Sequence, residues 1–165
     1  MRWLDALDTS LIDIDWPTIP GVPSANPPAI FDKWLLLEAM VKKIARIHKF
    51  DESMEKNILH EIFEREKMMS TGIGEQVAIP HATVEGIAEL LTSVVVFREG
   101  VEFESIDRRA VYIVVMLVAP KEQLSEHLRT MAEIARALHK AETRQKIIQA
   151  RSSEHILEII SITGG

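Results

Sequence analysis

The chain contains no cysteine, which removes disulfides, thiol nucleophiles and cysteine-based zinc sites from consideration. It also lacks any apolar run approaching the ~18 to 20 residues of a membrane span; the longest, Ala110 to Pro120, is strand-sized. Its N-terminus lacks the apolar stretch of a signal peptide, because Asp5, Asp8, Asp13 and Asp15 interrupt it. There is no basic excess either. A formal net charge of -6 argues against a broad nucleic-acid footprint, which needs a basic face, yet a single arginine or a helix N-terminus can still bind one phosphate. None of the six histidines falls in an HExxH or other recognised metal spacing. These absences lead to the expectation of a cytoplasmic protein with no membrane span, no nucleic-acid partner, no metal and no cofactor.

What is present is ordinary globular material. Apolar residues make up 47% and charged residues 27% of the chain, and 165 residues suit one domain able to close a proper core. Residues 1–30 stand apart as a proline-rich N-terminal extension. Five of the seven prolines (Pro17, Pro20, Pro23, Pro27 and Pro28) lie there, and proline's fixed φ and missing N–H forbid a helix or central strand. The stretch before them, Leu4 to Trp16, reads as a short helix or strand packed on the body, because Trp3 and Trp16 give it something to bury. The body is expected over residues 31–165.

There the texture changes. Leu36, Leu37, Met40, Val41, Ile44 and Ile47 recur at helical spacing opposite Lys42, Lys43 and Arg46, which predicts an amphipathic helix. Asp51 suits the N-cap of a second helix, whose stripe is Met54, Ile58, Leu59, Ile62 and Phe63 and whose end falls near Lys67. A turn follows at Ser70-Thr71-Gly72-Ile73-Gly74, then a short β run, Gln76 to Ile79, closed by Pro80 and His81. Thr92–Arg98 and Ala110–Ala119 are the clearest strands, the second apolar enough to be buried on both faces. Helices return at Ser125–His139, about Glu142–Ala150, and Ser153–Ser161, the last with Ser153 as cap. The fold class expected is α/β: a mixed β-sheet sandwiched between helices in a single domain.

Four histidines (His48, His60, His139 and His155) lie on or beside helices among charged neighbours, where a solvated or helix-terminal role suffices. His81 differs. It follows a proline, so its imidazole sits at a stiff strand end, just after a turn of small residues whose backbone N–H groups can face a ligand closely. Alone, a histidine at a strand end is more often structural. The turn alone is weak too: TGIG lacks the Lys-Ser/Thr of a nucleotide-binding P-loop. His127 falls in the first turn of a predicted helix, at the edge of its apolar face, where the dipole favours an anion; a partly buried histidine bonded to backbone is the alternative. Arg65 closes the second helix, where the dipole alone accounts for a cation, and a guanidinium fork beside a phosphate is the functional reading.

Together these residues form a longer pattern. The stretch from Arg65-Glu66 through Ser70-Thr71-Gly72-Ile73-Gly74 to Ala78-Ile79-Pro80-His81-Ala82 resembles the active-site signature of the mannitol/fructose-type (type 2) enzyme IIA family of the phosphotransferase system (PTS). A second block, Val101-Glu102-Phe103 with Asp107, the strand to Ala119-Pro120, then Glu126-His127-Leu128, is similar to the same family. The resemblance covers about residues 33 to 162. It departs at Ala82, where glycine is common, and at the proline-rich stretch, which replaces a plain short strand and loop.

The resemblance implies the mannitol-type enzyme IIA fold and a phosphoryl carrier in which His81 is the phosphorylated histidine. It implies that His127 assists at the phosphate, that Arg65 orients or neutralises it, and that the backbone amides of Ser70, Thr71, Gly72, Ile73 and Gly74 bind its oxygens. The implied donor is the phosphohistidine form of the small carrier protein HPr. One ring nitrogen of His81 would attack, while the other donates to a carbonyl that holds the tautomer. Two jobs fit. A nitrogen-type regulatory protein would bind a target according to its phosphorylation state; a sugar-transport component would pass phosphate to a separate IIB subunit. The wording STGIG, AIPH and Phe103-Glu104-Ser105-Ile106-Asp107 looks more like the regulators, as does a chain without IIB or IIC segments. An inactive relative that only binds partners is disfavoured because His81, His127 and Arg65 are all kept.

Overall fold

The computed structural model describes residues 3–14 and 32–163. Asp32 caps the first helix, α1 (Lys33–Ile47), by accepting the Trp34 N–H at 2.9 Å. Its stripe of Leu36, Leu37, Met40, Val41 and Ile44 is wholly buried, each side chain contributing about 1.5–3 kcal/mol over exposure. Asp51 caps α2 (Glu52–Met68) in the same way, through Met54 N–H at 2.8 Å, and Ile58 and Ile62 turn inward.

A six-stranded sheet follows, among the described residues: β1 (Ile12–Asp13), β2 (Gly72–Gly74), β3 (Val77–Ala78), β4 (His81–Val84), β5 (Leu91–Val101) and β6 (Val111–Pro120). β6 is its axis. On one edge it runs antiparallel to β5, and on the other parallel to β3 and β4. Residues 113–119 of β6 are buried on both faces, which is why that run reads as continuously apolar. Helices α3 (Leu124–Ala137), α4 (Ala141–Gln149) and α5 (Ser153–Thr163) complete the chain. No described helix is long and apolar enough to cross a membrane.

Two details differ from the sequence expectation. Pro80 and His81 do not close the run begun at Gln76. Val77 pairs with Ile113 and His81 with Leu117, so the register carries through the proline and His81 opens β4. Pro80 lacks an N–H, but its carbonyl still accepts from Leu117 N at 2.9 Å. The cap of α5 is Ser152, whose hydroxyl accepts the His155 N–H at 3.1 Å; the Ser153 hydroxyl donates instead to Ile12 O at 2.8 Å.

The N-terminal segment also joins the core. Two 3-10 turns, Trp3–Ala6 and Thr9–Leu11, lead into β1, which pairs parallel with β5 through Ile12 and Val94. Trp3, Leu7, Leu11 and Ile12 are buried, and Lys43 Nζ holds Asp13 at 2.6 Å. Trp16 and the prolines from Pro17 to Pro28 lie outside the described residues.

Candidate active site

His81 enters β4 directly after Ile79 and Pro80, and its Nδ1 lies 2.8 Å from the Ile79 carbonyl oxygen. A carbonyl only accepts, so Nδ1 carries the proton and Nε2 the lone pair. Into that lone pair Arg65 donates its Nε–H, at 3.2 Å. The ring is half-buried. Burial, helped by the Arg65 charge, pushes its pKa below the usual imidazole value, against the opposing effects of the Ile79 bond and of Glu66. The neutral, nucleophilic form therefore dominates at neutral pH.

Arg65 stands in the last turn of α2 and is held at its other side, Nη1 donating to the Met69 carbonyl at 2.8 Å. The guanidinium thus bridges the helix end and the histidine. His127, in the first turn of α3, brings its ring centroid to 5.4 Å from that of His81, inclined by 52°. It is only 4% exposed, and burial together with the neighbouring His81 lowers its pKa to about 4. Nδ1 of His127 is buried without a hydrogen-bond partner.

The sequence-derived triad of His81, Arg65 and His127 is therefore assembled from three elements, β4, α2 and α3. The glycine turn behaves differently from expectation. The Thr71 N–H does not face an open anion site; it donates to the Glu66 carboxylate at 3.1 and 3.2 Å. The Gly72 N–H donates to Ser70 Oγ at 3.1 Å, and that hydroxyl donates in turn to the Phe103 carbonyl. Gly72 and Gly74 pair with Ala78 and Val77 as β2 against β3.

Their lack of side chains answers to the β5–β6 loop. A Cβ on Gly72 would lie 2.3 Å from Ser105 Oγ and 3.0 Å from the Ser105 Cα, and Gly74, at φ +91°, faces the Asp107 carboxylate. Ile73, between them, is 45% exposed. The glycines thus allow close approach of the loop, a contact between segments far apart in sequence.

Sequence reasoning missed Lys33 and the role of Glu66. Both are buried, and Lys33 Nζ meets Glu66 Oε1 at 3.2 Å. One local signal existed. Lys33 opens α1 and Glu66 lies near the end of α2, so each charge sits at the helix end its own dipole disfavours.

Comparison with known proteins places these features in company. The family model described as phosphoenolpyruvate-dependent sugar phosphotransferase system, EIIA 2, matches residues 30–162. A nitrogen regulatory protein of Pseudomonas aeruginosa is 28% identical over 151 residues, covering 91% of this chain and 96% of that relative. The fructose-specific EIIABC component of Bacillus subtilis is 32% identical over 100 residues, 61% of this chain but 16% of the relative. Among solved structures, nitrogen regulatory protein IIA-Ntr of Neisseria meningitidis superimposes with a TM-score of 0.81 at 24% identity, covering 96% of this chain and 98% of that one.

Proposed function

We propose, from the premise that this chain belongs to the EIIA 2 family of the phosphoenolpyruvate-dependent sugar phosphotransferase system, that it carries a phosphoryl group on Nε2 of His81. The observation that supports this most strongly is the commitment of Nδ1 to the Ile79 carbonyl at 2.8 Å, which leaves Nε2 as the nucleophile. The donor, by family, is phospho-HPr. The Nε2 lone pair attacks phosphorus in line, the P–N bond to the donor imidazole breaks, and its electron pair leaves with the donor ring. His81 keeps its Nδ1 proton, so positive charge develops on its ring, and the Ile79 carbonyl stabilises that charge.

Phosphoryl transfer of this kind asks mainly for positioning and charge stabilisation. Arg65 gives up its bond to the Nε2 lone pair as the phosphorus arrives and turns its N–H toward a phosphoryl oxygen, tethered meanwhile by Met69. A ring N–H of His127 donates to another oxygen. Met69 beside Arg65, and Leu124 and Leu128 on either side of His127, are 54% exposed or more and give a protein partner apolar surface to cover. The amides of Ser70, Ile73 and Gly74 remain proposed oxygen donors; those of Thr71 and Gly72 are already engaged.

The role we favour is regulatory, with a target protein that senses the phosphorylation state. Similarity to a nitrogen regulatory protein along 91% of the chain supports it. Transport, with phosphate passed to a IIB subunit, is the second reading, favoured by the match to a fructose-specific component. The carrier body runs over residues 31–165, with residues 1–30 an N-terminal extension pinned to it through residues 3–14, and the protein works in the cytoplasm.

Incubation with phosphoenolpyruvate, enzyme I and HPr is expected to add one acid-labile phosphate, and His81→Ala none. Uptake by His81→Ala would end the proposal. Pull-down with and without phosphorylation separates the two roles: a IIB subunit points to transport, a kinase, channel or regulator to control.

A further inference from the structure

We propose that Lys33 and Glu66 are positioning residues for the His81 centre, a buried strut that sets the path of residues 69–71 and so the aim of Arg65. The proposal rests on the reading of His81 as phosphate acceptor and adds to it a requirement in α1, away from the reacting atoms.

The strut is unusual in its location. Side-chain exposure is 7% for Lys33 and 1% for Glu66, and each is at the unfavourable end of its helix dipole. A buried ion pair is commonly no more stable than two well-packed apolar residues. Stability alone does not account for it. What an apolar pair cannot do is bind the chain that leaves α2.

The Glu66 carboxylate does this through three contacts. It accepts the Thr71 N–H with both oxygens, at 3.1 and 3.2 Å, and the Thr71 hydroxyl at 2.6 Å. The backbone becomes extended at Met69, with φ -165° and ψ 138°, and returns to Glu66 at Thr71. Between those fixed points lies the Met69 carbonyl that anchors Arg65 Nη1 at 2.8 Å. Lys33 completes the strut from α1. Its ammonium meets the carboxylate at 3.2 Å and lies 5.1 Å from the Trp34 ring and 5.6 Å from the Phe103 ring. Phe103 in turn accepts Ser70 Oγ–H through its carbonyl. The start of α1 and the exit from α2 therefore meet at one carboxylate, one residue from Arg65, and the β5–β6 loop joins them through Phe103, beside the Lys33 ammonium and bonded to Ser70.

A group that acts by aiming another should alter turnover more than docking. Glu66→Gln and Lys33→Met are expected to lower kcat for uptake from phospho-HPr about 10- to 100-fold, in the range for residues that orient a reacting side chain, with KM unchanged. Nitrogen-15 NMR of the unphosphorylated protein supplies a second readout. In Glu66→Gln the Arg65 Nε–H signal should move, and the His81 titration midpoint should fall because a neighbouring negative charge is gone.

Wild-type kcat together with an unmoved Arg65 signal in Glu66→Gln overturns the proposal. If Glu66→Gln does not fold, Thr71→Val and Thr71→Ser decide: slow transfer in the first with recovery in the second is expected, and equal wild-type rates contradict the strut. Should the wild-type chain take up no phosphate, the acceptor reading fails by itself, while the Arg65 and His81 signals still test whether the strut sets the geometry.

Discussion

The two edges of β6 were built for different ends. Along β5 the pairing runs without a break from Leu91↔Val118 to Val96↔Ile113, and Val94, Val95 and Val96 are at most 1% exposed. The opposite edge is shared by β3 and β4, parallel to β6 and interrupted at Pro80. The first edge is continuously paired and buried, apolar except for Thr92 and Ser93. The second holds the imidazole, and the carbonyl preceding the proline is free to take the His81 Nδ1–H. Pro80 has no N–H to give to the β6 ladder, and beside it the Ile79 carbonyl accepts from the His81 ring and sets its tautomer.

The difference can be broken from either side. The largest effect on stability is expected at the continuous edge: Leu91→Ala, at a fully buried position, should cost about 2–5 kcal/mol in urea unfolding while leaving the transfer rate per folded molecule unchanged. The largest effect on chemistry short of removing the nucleophile is expected at His127. Loss of one oxygen donor in His127→Leu should slow transfer about 10- to 1000-fold, with little change in the unfolding midpoint.

Acid sharpens the comparison. The folded pKa of His127, about 4, lies below the ordinary imidazole value of 6.5, and that of His81 is lowered as well. The unfolded chain therefore binds more protons in this window. Stability should be fully present above pH ~6.5 and lost as pH falls toward 4, by on the order of 2–3 kcal/mol for His127; His127→Gln should flatten that part of the unfolding profile. The smallest effect is expected at the exposed pair Lys56–Glu52, 2.6 Å apart with both side chains more than 70% exposed. Lys56→Ala should leave both melting and transfer within error.

The elements legible in the sequence were those whose signal is local. Leu36, Leu37, Met40, Val41 and Ile44 declare α1 by spacing, Asp51 declares the start of α2, and the unbroken apolar run declares β6. The site residues were legible together only through the resemblance, because no periodicity links Arg65, His81 and His127. What escaped depends on partners distant in the chain. Ile12 becomes a strand only because Val94 offers an edge. Gly72 is required by Ser105, whose hydroxyl a Cβ there would meet at 2.3 Å. Lys33 finds Glu66 across the packing of α1 on α2. The shift of the α5 cap from Ser153 to Ser152 is smaller, and follows from the demand of Ile12 for the Ser153 hydroxyl.

The central claim is that phosphate resides on one particular nitrogen. Phosphorus-31 and nitrogen-15 NMR of the chain charged from phospho-HPr tests it directly. A phosphorus–nitrogen coupling to Nε2 of His81, with Nδ1 still protonated, is the result expected from the Ile79 carbonyl contact. Phosphate on Nδ1 of His81, or on any other side chain, would contradict the account.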